Sequence, residues 1–408
     1  MEDFKAVRED FPILSSKVYG QPLIYLDNAA TTQMPRCVLR RIQEHYERYN
    51  ANVHRGIHYL SEQSTAHFET ARATVRSFLG AKNCKEIIFT SGATDAINLV
   101  ARGFQERFLR PGDEVIATEM EHHANLIPWQ EACRRSGAAL RIIPLTGTGE
   151  LDLDAYYAML SARTRIVAVT AVSNVLGTVN PLKPMIQAAH QAGATVLVDA
   201  AQAMRHIRFQ VRELDCDFLC FSGHKVMGPA GIGVLYGKEE RLDELYPIAF
   251  GGGMVDRVSL CEAAYGELPQ RLEAGTPNYP GAIGLAAALN YLSELGLEEI
   301  TRWEKTLLRE YETMLGQFPC IRILGAPARR AGAVSFTVEN ASPYDISMLL
   351  DKLGVATRSG HHCAQPLLQR FGVPYAVRLS PAFYNRLEEI PAVQSALERT
   401  LSVLGVTV

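Results

Sequence analysis

Between residues 85 and 236 the chain alternates short, unbroken apolar runs with longer stretches in which apolar positions recur every three or four residues. The runs are EIIFT (86–90), EVIAT (114–118), LRIIPL (140–145), RIVAVTAV (165–172), TVLVDAA (195–201), DFLCFSG (217–223) and GIGVLYG (231–237). Helical periods lie between them in TDAINLVARGF, HHANLIPWQEACRRSG, DLDAYYAMLS and KPMIQAAHQAG. Runs of this length, separated by helices, predict a mostly parallel sheet covered on both faces. Ligands of such sheets gather at the carboxyl ends of the strands, so the turn after each run is where chemistry is expected.

Beyond Asn278 the pattern changes. Two helical stretches, about 281–296 and 298–317, lead to a smaller unit with strands AVSFTV and VATRSG and a terminal helix near 386–404. This reads as an α+β C-terminal domain, and a length of 408 residues suits one large and one smaller domain. Lys plus Arg (41) nearly balance Asp plus Glu (44), which with the lack of a basic stripe argues against a nucleic-acid binder. MEDFKAVREDFPIL is too acidic for a signal peptide, and no stretch approaches the ~18 apolar residues of a membrane helix. The eight cysteines lack CxxC spacing, which argues against a disulfide framework or zinc site. The expectation is a reduced, cytoplasmic protein.

Four strand ends carry candidate chemistry. Asp199 follows one buried run; Ser222, His224 and Lys225 follow the next; FTSGATDA opens a helix at Thr94; His122 follows a fourth run. A Lys in a turn at this sheet edge, 26 residues after a strand-end Asp, suits pyridoxal phosphate (PLP). The Lys would hold the aldehyde, and the Asp would keep the pyridine nitrogen protonated. The phosphate would sit at the helix N-terminus opened by Thr94. Each piece has a plainer reading: the Asp could bind magnesium or a ribose, the Lys could be a surface residue, and His122 and His123 could be one core and one exposed side chain.

The segments YLDNAATT (25–32), NVHRGIH (52–58), EHHAN (121–125), SNVLGT (173–178), VDAAQ (198–202), SGHKVMGPAGIGVLYG (222–237), EAGTPN (273–278) and RSGHHCAQP (358–366) resemble, in order, those of the cysteine desulfurases. RSGHHC resembles the group II branch, the SufS/CsdA type. The resemblance implies PLP fold type I, aspartate aminotransferase-like: an α/β large domain (21–285) with a mostly parallel seven-stranded sheet and a smaller α+β domain (286–408) carrying the Cys loop. Residues 1–20 would pack on the small domain. It implies Lys225 for PLP, Asp199 for the pyridine nitrogen, Gln202 for the phenolic oxygen and His122 over the ring. Thr94, Ser222 and His224 match phosphate ligands, and Thr276 matches one supplied by the partner subunit of a homodimer. Asn174 and Arg378, with Arg358 nearby, match groups that hold the substrate carboxylate; Cys363 matches the catalytic cysteine.

Two departures stand out. The phosphate turn reads TSGATDA rather than an RGTTE-like run, with Ser91 in place of a cation and Ala93 lacking a hydroxyl, and GGGMVDRVS (251–259) departs from the GGG(E/S)MI pattern.

The residues also speak for themselves. RSGHHCAQP is polar and turn-like, so Cys363 is expected to be less buried than the other seven cysteines, and two His and an Arg nearby would favour its thiolate. A structural loop Cys is the plain alternative. Arg378 could be an ordinary ion-pair partner, although its planar fork suits an α-carboxylate. The implied reaction converts L-cysteine to L-alanine and leaves a persulfide on Cys363 for an acceptor of the SufE or SufU type in iron–sulfur cluster assembly. Lys225 would act as base and His122 as proton shuttle. A selenocysteine lyase, a cysteine sulfinate desulfinase or a kynureninase-like hydrolase on the same scaffold is the rival, and a non-catalytic binding protein that retains PLP is the rival from another class.

Overall fold

The computed structural model describes residues 4–407. Seven strands form the main sheet: β1 (Ile87–Thr90), β2 (Glu114–Thr118), β3 (Ala139–Ile143), β4 (Thr164–Thr170), β5 (Thr195–Asp199), β6 (Phe218–Ser222) and β7 (Gly233–Gly237). Their order is β1-β7-β6-β5-β4-β2-β3, and β7 alone runs antiparallel to its neighbours. Every residue of β1, β2, β5, β6 and β7 is buried, as uninterrupted Val, Ile, Leu and Phe runs require. The edge strand β3 is more exposed, and its ALRII sequence is correspondingly mixed.

Alternate residues of each strand feed opposite layers. Val198 and Phe221 face a core shared with the helices α1 (Arg36–Arg48) and α2 (Tyr59–Leu79); Leu197 and Cys220 face α3 (Ala93–Phe108) and α4 (Ile127–Ser136). The helical period beginning at His122 resolves into a short turn, His123–Asn125, followed by α4, because Pro128 fits only the first turn of an α-helix. Two further crossovers are α5 (Leu153–Met159), capped by Asp152, and α6 (Leu182–Gln191). Helix α7 (Tyr279–Leu295) is apolar on nearly all sides and is buried accordingly, packed between α1 and α2.

Helix α8 (Leu297–Leu315) leads into a four-stranded antiparallel sheet of order β8-β9-β11-β10, formed by β8 (Ile321–Ile323), β9 (Val334–Val338), β10 (Arg358–Gly360) and β11 (Ala376–Leu379). Helices α9 (Pro343–Lys352) and α11 (Ile390–Val403) cover it, and α10 (Gln365–Arg370) follows the Cys363 turn. The run VATRSG is two strands rather than one. Val355–Ala356 pairs in parallel with Ile24–Tyr25, whereas β10 pairs with β11. Among the described N-terminal residues, Phe4 stacks on Trp303, Phe11 packs on Tyr384, and Arg8 bridges Glu389 at 2.9 Å. Among the described residues, no helix is long and apolar enough to cross a membrane.

Candidate active site

The carboxyl ends of β1, β2, β4, β5 and β6 meet the Cys363 turn and the four-stranded sheet around a cavity of about 260 Å³. Its lining includes Thr94, His122, Asn174, Asp199, Gln202, Ser222, His224, Lys225, Arg358, Cys363 and Arg378. Thus eleven of the twelve residues singled out by sequence converge. Thr276 does not; it is exposed on the turn after Glu273 and is not among the residues that line this cavity.

Asp199 ends β5, fully buried, and accepts the Ala201 N–H at 2.9 Å. Burial raises its pKa, against the pull of Lys225. Gln202 donates one amide hydrogen to the Ala29 carbonyl at 2.7 Å, which leaves its second N–H free for the cavity. Lys225 closes a single tight turn after β6. The preceding carbonyl, of His224, accepts from the Thr32 N–H at 2.9 Å and from the Thr31 and Thr32 hydroxyls, so the YLDNAATT segment braces the lysine turn. Burial lowers the Lys225 pKa, assisted by Arg378 and opposed by Asp199.

The phosphate turn joins β1 to α3. The Ala93 N–H donates to Ser222 Oγ at 2.8 Å, which ties this turn to the end of β6. Gly233 on the intervening β7 allows the approach: a Cβ there would lie 2.5 Å from the Gly92 Cα. His224 is held neutral by burial and by Lys225.

His122 Nδ1 accepts the Ala124 N–H at 3.0 Å, which assigns the ring proton to Nε2. Burial and the neighbouring Lys225 hold its pKa down to about 3, so the ring is neutral. Behind it lies Glu121, which the sequence reading quoted within EHHAN but assigned no role. Its carboxyl accepts from Thr118 Oγ1 and Asn125 Nδ2, both at 2.7 Å, and from the Thr170 N–H at 2.9 Å; burial pushes it up to about 8.

Cys363 lies in a turn where His362 and Cys363 both take left-handed backbone angles, φ +51° and +53°. Two consecutive non-glycine residues in this region cost about 1–2 kcal/mol each and persist only where the surroundings enforce them. Here the His123 N–H donates to the Cys363 carbonyl at 2.7 Å, the Cys363 N–H donates to His361 Nδ1 at 3.0 Å, and Asn174 Nδ2 donates to the His362 carbonyl at 2.7 Å. Two expectations are corrected. Cys363 is half-buried, whereas Cys37 and Cys261 are exposed, because Cys37 faces out from α1 and Cys261 sits beyond the strand Val255–Val258. His362 supplies no positive charge: it is buried, bonded to the Ala376 carbonyl at 3.1 Å, and held at about 3 by burial and Arg378.

Arg378 is buried on β11. It donates through Nη1 to the Asn174 carbonyl at 3.0 Å and through Nη2 to Asp27 at 3.1 Å. Its Nε and the Asn174 Oδ1 are buried without partners. Asp27 is the other residue that sequence reading passed over; an acidic residue inside a motif otherwise matched as a block was the available signal.

Residues 24–393 match the family "Aminotransferase class-V". The Cysteine desulfurase of Pectobacterium atrosepticum is 48% identical over 400 residues, 98% of each chain. That of Synechococcus elongatus is 47% identical over 397 residues; the alignment covers 97% of this chain and 63% of the relative. Among solved structures, the Escherichia coli cysteine desulfurase CsdA superposes with a TM-score of 0.92 at 38% identity, covering 98% of this chain and 99% of that one. The chain belongs to the cysteine desulfurases of the class-V aminotransferase family. PLP is the cofactor of that family, and the cavity fits it. A buried carboxylate faces a lysine whose ammonium is disfavoured, and a helix N-terminus with a serine and a threonine hydroxyl lies across the cavity.

Proposed function

We propose that the protein is a PLP-dependent L-cysteine desulfurase of group II, with Lys225 as cofactor anchor and base and Cys363 as sulfur nucleophile. The observation that carries this reading is that Cys363, on a strained turn of the small domain, lines the same cavity as Lys225 and Asp199 of the large domain.

Bound there, PLP supplies an aldehyde that takes up the substrate amine and a protonated ring that accepts the electron pair released at Cα. Lys225 would anchor PLP through its aldehyde carbon. Burial lowers the lysine's pKa and so favours the uncharged amine that can take the Cα proton. Asp199 would keep the ring nitrogen protonated, Gln202 would offer its free N–H to the phenolic oxygen, and Thr94, Ser222 and His224 would hold the phosphate. His122 acts as a neutral ring, donating and recovering its proton at Nε2. Arg378, through its unpaired Nε, and Asn174 hold the α-carboxylate, with Arg358 at the rim.

Cys363 attacks the substrate sulfur. An S–S bond forms, the C–S bond breaks with its electron pair going to carbon, and that carbon takes the proton given up by the Cys363 thiol. The products are L-alanine and a Cys363 persulfide. Thr276, exposed here, completes the phosphate site of a second copy in a homodimer, and a protein of the SufE or SufU type takes the sulfur for iron–sulfur assembly. The reducing cytoplasm suits a chain whose eight cysteines are all free.

Mass spectrometry after brief exposure to cysteine tests the reading. One extra sulfur should map to the Cys363 peptide. Cys363→Ala should keep its cofactor and bind cysteine, yet release almost no alanine. Extra sulfur on Cys261 or Cys37, or wild-type turnover by Cys363→Ala, would overturn it.

A further inference from the structure

Cys363 sits where a backbone of non-glycine residues would not settle by itself, with His362 and Cys363 both at left-handed angles. A histidine side chain holds the turn on either flank. On one flank the Cys363 N–H meets Nδ1 of His361, two residues earlier, at 3.0 Å. On the other the Gln365 N–H, at the first residue of α10, meets Nε2 of His123 at 3.3 Å. A backbone N–H can only donate, so each of these ring nitrogens is an acceptor and carries no proton. His361 in this geometry is an uncharged ring protonated at Nε2, and His123 is one protonated at Nδ1. Burial, aided by the neighbouring His361, lowers the pKa of His123, which suits an acceptor.

The His361 contact is the one that Asn and Asp make in an Asx-turn, a side-chain acceptor on the N–H two residues further on. His122 repeats it, its Nδ1 accepting the Ala124 N–H at 3.0 Å. The two histidine-built turns are joined main chain to main chain, because the His123 N–H donates to the Cys363 carbonyl at 2.7 Å. The His123 and His361 rings lie 5.7 Å apart between centroids. The Cys363 turn and the turn that carries His122 thus form one braced unit. His122 and Cys363 line the cavity, whereas His123 and His361 do not.

We propose that His361 and His123 are positioning residues for sulfur transfer: as uncharged acceptors, His361 through Nδ1 and His123 through Nε2, they fix the turn that presents Cys363 to the cavity. The inference rests on the reading of Cys363 as the nucleophile. His361 is then not a cation beside the thiolate; the bond that shapes the turn denies it that charge.

Substitution separates the two nitrogens. Oδ1 of Asn lies as many bonds from Cβ as Nδ1 of His, and Oε1 of Gln as many as Nε2 by the shorter path. In the PLP-loaded enzyme, His361→Asn should therefore keep the turn, while His361→Gln and His361→Ala lose it. The order reverses at the other flank: His123→Gln should keep the turn, while His123→Asn and His123→Ala lose it. Single-turnover formation of the Cys363 persulfide should slow about tenfold to a hundredfold wherever the turn is lost, the scale of a misplaced reacting atom. Cysteine binding, read from the cofactor's absorbance, should hold in every variant; a merely structural role would lower binding and transfer together. Brief alkylation with iodoacetamide, resolved by peptide mass spectrometry, gives a readout free of turnover. Half-buried Cys363 should react faster, relative to exposed Cys261, in the variants that lose the turn, and at the wild-type ratio in His361→Asn and His123→Gln.

Retention of both rates by His361→Gln but not by His361→Asn overturns the proposal, as does wild-type behaviour of the two alanine variants. Where variants fail to fold, nitrogen-15 spectra of the wild type decide: a proton on His361 Nε2 and on His123 Nδ1 supports the proposal, and a proton on either accepting nitrogen overturns it. Should the wild type carry no added sulfur on Cys363, the desulfurase reading fails, and the order of alkylation still decides the role of the two histidines.

Discussion

The reactive side chains are set by what surrounds them more than by their own chemistry. Lys225 is an amine whose charged form is disfavoured by burial, so it can serve both as the cofactor's anchor and as a base. Borohydride reduction should therefore leave the cofactor's mass attached to the wild type and none attached to Lys225→Ala. Label retained on another peptide of that variant would show that a different amine holds the aldehyde. Asp199 is a buried carboxylate with one backbone donor, which leaves its other oxygen for a ring nitrogen. Asp199→Asn should lose about a hundredfold or more in turnover, the scale of one positioned proton-holding group, while its fold is kept. Normal turnover by Asp199→Asn would remove the ring nitrogen from the argument. Lys225, Asp199 and Cys363 were legible in the chain because each sits at a predicted strand end or in a polar turn. Glu121 and Asp27 were not, since their importance lies in partners far away: Thr170 for Glu121, Arg378 and Arg358 for Asp27.

At the scale of elements, strand β7 is the point of least tolerance. It runs antiparallel between β1 and β6, and the phosphate turn crosses its start. Because Gly233 abuts the Gly92 backbone, Gly233→Ala must push that turn away from Ser222. The expected outcome is a loss of about 1–3 kcal/mol in unfolding free energy together with weaker cofactor retention on dialysis. Full retention at wild-type stability would show that the turn gives way without consequence. The runs of the main sheet were readable because an uninterrupted apolar stretch between helices has few other places to go. The four-stranded sheet was less so. VATRSG divides between two sheets because Val355–Ala356 finds its partner at Ile24–Tyr25, more than 300 residues earlier, a pairing no local pattern encodes. The strand carrying Arg378 is only four residues long, and its burial comes from neighbours on both sides.

For the whole molecule, three buried titratable groups set opposite pH trends. His122 and His362 fall from their ordinary 6.5 to about 3. Between those values the unfolded chain binds the proton and the native chain does not. Stability is therefore lost as pH falls through this window, by about 1.4 kcal/mol per unit for each ring. Glu121 has the other sign. Its carboxyl rises from 4.5 to about 8, so the native state holds the extra proton and stability is lost as pH rises through that window. From these groups alone, stability should peak near 6.5, where the histidine gain ends and the glutamate loss continues. Urea unfolding across both limbs checks this. Glu121→Gln should flatten the alkaline limb and His362→Gln should soften the acid one; an alkaline limb unchanged in Glu121→Gln would show that the carboxyl is not held protonated.

The sequence by itself determined the layered α/β sheet, the strand ends that bear Asp199, Ser222 and Lys225, and the polar turn that bears Cys363. All of these follow from local periodicity and from the few conformations that such runs and turns allow. The tertiary structure alone decided which groups are charged and which face one another: that His362 is neutral, that Cys363 is less exposed than Cys37 and Cys261, and that Arg358 and Arg378 stand opposite each other across Asp27. The physical reason is that charge state and side-chain pairing depend on burial and on distances of a few ångström between residues hundreds of positions apart, and neither quantity is local to the chain.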